Sequence, residues 1–122
     1  MNYDWMQIPK FDFNQLLTDS ESRLRQAILD MIAAAKAVSH IQAEIARSHL
    51  AAKGIFPGSR VMFDFHAGDK EMVIYERTTE EIYGAVIHVR GLTKKGQPKV
   101  RDTRALRFTC HKQMNAIEDD ER

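Results

Sequence analysis

The chain holds a single cysteine, Cys110, among 122 residues. It has no second cysteine for an intramolecular disulfide or for a thiolate metal site, so disulfide scaffolds and Cys-rich metal modules are excluded and a reducing, cytoplasmic setting is expected. No apolar run reaches the length that spans a bilayer, and the opening MNYDWMQIPKFDF has neither a basic n-region nor an apolar h-region; no membrane partner is expected. Also missing are a phosphate-cradling glycine loop, a His-Glu-x-x-His pair and a serine in a nucleophile-elbow setting. No catalytic residue, cofactor or metal is assigned, and the chain is read as non-enzymatic.

What remains is one domain's worth of chain, with 43% hydrophobic and 29% charged residues, both ordinary for a folded protein. The net charge of +1 conceals a segregation. Residues 1–89 carry 9 Lys/Arg against 12 Asp/Glu, residues 90–112 carry 8 against 1, and residues 113–122 carry 1 against 4. A basic segment therefore stands beside an acidic tail.

The order of elements follows from periodicity. Residues 1–17 form an arm with Tyr3, Trp5, Phe11 and Phe13 and no sustained period, suited to packing on its own domain or across to a partner. Thr18-Asp-Ser-Glu21 fits a capping box, and the chain then runs from Asp19 to Lys53 without proline or glycine before Gly54 supplies a C′ residue. The spacing predicts a long amphipathic helix over 18–54, a rod of about 50 Å. Its apolar stripe is Leu24, Ile28, Met31, Ala35, Val38, Ile41 and Ile45; a rod longer than a small β-domain calls for a second helix, so a homo-oligomer, a dimer in the simplest case, is expected along that stripe.

Beyond Gly54 the period becomes two. Strands are expected at Val61–Phe65, from Met72, at Tyr83–Arg90 and at Arg104–Cys110, with a short one at Lys99–Arg101 and Glu80-Glu81 in a solvated turn. Four to five short antiparallel strands over 55–112 suggest an α+β chain ending in an SH3-like half-barrel, with 113–122 as a tail.

Within 90–107, Arg90, Lys94, Lys95, Lys99, Arg101, Arg104 and Arg107 lie on a hairpin and are assigned as an anion-binding face, since lysines attract and arginines fork onto phosphates. The opposing reading is a solvated hairpin, or one neutralised by Glu118-Asp-Asp-Glu121. Candidate partners are a nucleic-acid backbone, a nucleotide or an acidic protein surface. The alternative function is a small inhibitor or adaptor that docks on a larger nucleic-acid-processing or defence enzyme. Asp64, His66 and His88 make only a weak metal set, and Cys110 beside His111 is not read as nucleophile and base, because neighbours on a strand point apart.

Overall fold

The structure is a computed structural model that describes residues 18–66 and 68–117. The aromatic arm, the acidic cluster from Glu118 onward and the side chains of residues 65 and 66 lie outside the described residues. One helix precedes a five-stranded antiparallel sheet: α1 (Asp19–Ala52), β1 (Arg60–His66), β2 (Asp69–Glu81), β3 (Gly84–Leu92), β4 (Pro98–Arg107) and β5 (Met114–Ala116), with a 3-10 helix at Phe108–Gln113 between the last two strands.

The ends of α1 are set by local chemistry. Thr18 Oγ1 accepts from the Glu21 N–H at 3.2 Å, and Asp19 and Glu21 place negative charge on the positive end of the helix dipole. At the other end Gly54 takes φ +78°, which lets Gly54 N–H bond Ala51 O at 2.9 Å and Ile55 N–H bond Leu50 O at 2.8 Å. That pair of bonds is a Schellman motif, and its usual apolar contact is present because Leu50 and Ile55 belong to the same core.

The strand order is β4-β3-β2-β1-β5, an open sheet with β4 and β5 at its edges. Three findings differ from the sequence expectations. Strand β2 runs on through Glu80 and Glu81, so that pair is strand rather than turn, and only Ile82 and Tyr83 separate Glu81 from its partner Gly84. Lys99–Arg101 and Arg104–Arg107 belong to one strand, while Phe108 and Cys110 sit on the 3-10 helix and reach the core from there. The sheet also continues past residue 112: Met114 is fully buried and β5 pairs with β1 through Val61↔Ala116 and Phe63↔Met114.

The core lies between one face of the sheet (Val61, Phe63, Val73, Tyr75, Ile87, Val89) and Ala46 and Leu50 of the helix. The helical residues that meet the sheet are small. Ser39, Ala43 and Ala46 are buried and let the helix backbone come close, and Leu50 fills the deepest position. The register of β1 covers β2 up to Ile74, and Gly58 and Ser59 bond the backbone of Tyr75; beyond it, toward Glu81, no described strand pairs with β2 on that side. Helical side chains take over: Ser39 Oγ donates to Glu81 O, and Arg47 donates to Thr78 O at 2.7 Å. Lys53 Nζ closes the other end, donating to His111 O and Met114 O at 2.8 Å each. An exposed strand edge is thereby covered by donors from a helix, and the carbonyls are satisfied without a further strand.

Part of the expected stripe is placed elsewhere. Leu24, Met31, Val38, Ile41 and Ile45 are 40–55% exposed, whereas Ile28 is buried and Ala35 is half-buried. The five exposed residues follow heptad positions one and four, and the sheet-facing residues Ser39, Ala43, Ala46 and Leu50 occupy the neighbouring face. The helix thus carries two faces rather than one.

His40 adds a titratable link between α1 and β2, with Nδ1 2.7 Å from Glu80 and Nε2 2.9 Å from Glu44. The hydrogen bond and charge of Glu80, with Glu44 behind them, raise its pKa above the ordinary value. A raised folded pKa means that its stabilisation is fully present below the unfolded value near 6.5 and disappears as pH rises through the folded one. Urea unfolding of the wild type and His40→Gln between pH 5.5 and 8.5 should show the wild-type advantage shrinking with rising pH. An advantage that is flat or grows would contradict the pairing.

Candidate anion-binding surface

The β3–β4 hairpin closes at Thr93–Gln97, where Thr93 N–H bonds Gln97 O at 2.8 Å and Gly96 N–H bonds Thr93 O at 2.9 Å. Lys94 and Lys95 occupy the exposed turn, and Gly96 takes the positive φ the turn requires. Along β4 exposure alternates: Arg101, Thr103, Ala105 and Arg107 are exposed, while Asp102, Arg104 and Leu106 are half-buried.

The seven predicted cations divide into two groups. Arg90 Nε donates to Glu76 Oε2 at 3.1 Å, and its Nη1 donates to Lys99 O at 2.7 Å and Val100 O at 2.8 Å. It therefore clamps the hairpin at the register shift between Arg90 and Leu92 and is engaged in structure. Arg104 donates Nε and Nη2 to Asp102 at 3.0 and 2.9 Å, with Nη1 on Glu71, while Lys99 Nζ lies 3.5 Å from Asp102. The Arg104 hydrogen bond, more than any other influence, holds the Asp102 carboxyl below its usual pKa, and the two carboxylates push the guanidinium pKa higher still.

This chain of charges depends on Gly91. Glu71 stands on β2 and Arg104 on β4, with β3 between them, and at Gly91 there is no side chain in the way. A methyl group there would overlap the Asp102 carboxylate and come 3.2 Å from Arg104 Nη2. Sequence reading missed Glu71, Glu76 and Asp102 as partners because the acids of β2 reach the hairpin only through sheet register.

Lys94, Lys95, Arg101 and Arg107 form the second group, making no ion pair with any described residue. Arg60 joins them at the tip, its guanidinium close enough that a methyl on Gly96 would stand 3.7 Å from Nη1. Its signal was in the register, because Arg60↔Ile74 and Ile74↔Arg90 place it on the same sheet face as Arg90.

Arg107 also borders a cleft of about 670 Å³ where α1 approaches the β2–β3 turn, β4 and the 3-10 helix. Its described lining is apolar at Ala85, Val86, Leu106 and Phe108 and polar at Gln42, Tyr83, Arg107 and Thr109. Gln42 is fixed in place, its Oε1 accepting from Ala85 N–H at 2.9 Å. Gly84 permits this approach, since a Cβ there would lie 3.0 Å from that oxygen.

His49, His111 and Cys110 are engaged in packing. His111 is buried, its ring stacked on His49 at 4.6 Å between centroids, and burial, with His49 and Lys53 nearby, depresses its pKa. Burial raises the Cys110 thiol, so the thiolate is disfavoured at neutral pH. These two residues lie on the 3-10 helix, not on the strand from which their separation was argued. His88 bonds Thr79 Oγ1 at 2.7 Å, and the described residues hold no group of three metal-ligating side chains.

Comparison with protein-family models, with curated proteins and with solved structures found no match.

The Gly91 gap is testable. Gly91→Ala should cost about 1–3 kcal/mol in denaturant unfolding, the usual range for overpacking. In an Asp102→Ala background the same change should cost clearly less, since the colliding carboxylate is gone. Equal costs in both backgrounds would show that Gly91 is not a gap for Asp102.

Proposed function

We propose that the chain is a non-enzymatic, self-associating binding protein. Its helix acts as an amphipathic rod that pairs with a second copy along Leu24, Met31, Val38, Ile41 and Ile45, and an SH3-like half-barrel presents Lys94, Lys95, Arg101 and Arg107 to an anionic ligand, a nucleic-acid backbone or a nucleotide. The half-barrel reading is supported by the strand order β4-β3-β2-β1-β5 and by the 3-10 helix that returns β5 to β1.

The observation that carries the ligand reading is the division of the cations. Asp102, Glu71 and Glu76 neutralise Arg90, Lys99 and Arg104, while four neighbours on the same hairpin have no acidic partner among the described residues. Two arginines and two lysines offer both forked hydrogen bonding and long-range attraction to phosphate. Pairing two chains doubles the number of such surfaces on one particle and so raises avidity for a polyanion without a new contact.

The exposed helical seam also supports the rival reading, an adaptor or inhibitor that docks this face on a larger protein. The two readings differ toward nucleic acid. A single-stranded oligonucleotide should bind at low salt with log K falling against log salt at a slope of about −3 per protomer, as expected when four cations each displace a counterion. Arg101→Glu/Arg107→Glu should abolish that binding while leaving the circular dichroism spectrum unchanged. Absence of binding at low salt, or binding indifferent to salt and to the charge reversals, would reject the anion-binding reading in favour of a protein partner.

A further inference from the structure

We infer that the cleft between α1 and the β4 end of the sheet is a site for a nucleoside phosphate, with the base against its apolar lining and the phosphate on Arg107. This deepens the anion-binding reading and rests on it at Arg107, which belongs to both.

Size comes first. A volume of about 670 Å³ lies within the ordinary range for small-molecule sites, about 300–1,000 Å³. The chemistry of the walls narrows the occupant. Among the described residues no carboxylate lines the cleft, and its polar groups are biased toward donors. Arg107 makes no ion pair with any described residue, and Gln42, with its oxygen committed to Ala85 N–H, offers its amide NH2. Thr109 contributes a hydroxyl. An apolar lining combined with donor-rich polar groups suits a ligand with a flat apolar body and many acceptors.

Aromatic bodies are further favoured by the flat surfaces at hand. Phe108 and Tyr83 both belong to the lining, and Tyr83 is 61% exposed. Stacking on aromatic rings and forked hydrogen bonding by a guanidinium are the means by which proteins hold bases and phosphates. A nucleic-acid strand fits less well, because a backbone needs a row of cations, and Arg107 is the cleft's one cation among its lining residues. Lys94 and Lys95 sit at the turn, at the other end of β4 from Arg107.

The cleft is also preformed. Its Gln42 wall is held by the hydrogen bond to Ala85, and the positive φ of Gly84, +131°, keeps space for that amide. A site whose walls are fixed before binding loses little conformational entropy on occupation.

The test is a 15N NMR titration of the full chain with three probes: a purine nucleoside 5′-monophosphate, inorganic phosphate and a single-stranded oligonucleotide. The monophosphate should shift amides within 83–86 and 105–109, and phosphate alone should shift them only at far higher concentration. Arg107→Gln should weaken the monophosphate at least tenfold. Ala105→Trp, a substitution at an exposed position on the cleft wall, should block it while leaving spectral dispersion intact. Cleft amides that stay unmoved at millimolar monophosphate, or that shift with protein concentration instead of ligand, would overturn the inference. If the oligonucleotide shifts residues 93–101 in that same experiment, the cleft inference falls and the anion-binding surface stands; if no probe shifts any amide, both fall.

Discussion

The backbone of β2 outruns its partner β1, and the covering of that unpaired edge by the helix determines how everything else is arranged. Ser39 and Arg47 donate to Glu81 O and Thr78 O, and Lys53 fastens the far end to the 3-10 helix and β5. These bonds fix the rotation of the helix about its own axis. Ser39, Ala43, Ala46 and Leu50 must face the sheet, and with that rotation set, Leu24, Met31, Val38, Ile41 and Ile45 cannot. An apolar seam on the outside is thus a consequence of how the sheet edge is satisfied. The side-chain hydrogen bonds from Ser39, His40, Gln42, Arg47 and Lys53 tie the C-terminal portion of α1 to the sheet and the 3-10 helix. The cleft has the same origin, because Gln42 on that rotated helix meets the start of β3.

A second constraint operates inside the hairpin. Counted along the chain, 90–112 is strongly basic, but sheet register brings Glu71 and Glu76 against it from β2. Part of the positive charge serves to hold β4 on β3, with Arg90 bridging the register shift and Asp102 gathering Lys99 and Arg104 over Gly91. The cations without an acidic partner among the described residues are spread along the hairpin: the turn lysines with Arg60 at one end, Arg101 within β4 and Arg107 at the other end.

Much of the fold was legible in sequence, and for identifiable reasons. Thr18 and Gly54 bound the helix because capping is local, and the alternation of Val61, Phe63, Ile87 and Val89 marked the buried sheet face because period two is local as well. Non-local features were not legible. The stripe drawn by spacing through Leu24, Ile28, Met31, Ala35, Val38, Ile41 and Ile45 missed Ser39, Ala43, Ala46 and Leu50, which face the sheet. Phe108 and Cys110 continue the spacing of a strand, yet they reach the same core from a 3-10 turn. Among the basic residues, Arg104 could not be told from Arg107 by type or spacing; only the gap at Gly91 and the register to β2 separate them.

The central claim is that α1 has two faces, one held by the sheet and one exposed apolar seam that we propose pairs with a second copy of the chain. Sedimentation velocity of the full chain and of a Met31→Glu/Ile41→Glu variant, over a hundredfold range of concentration, tests it most directly. The account predicts a wild-type dimer and a variant that sediments as a monomer with unchanged helix content. A wild type that remains monomeric across the range, or a variant that dimerises equally well, would contradict it.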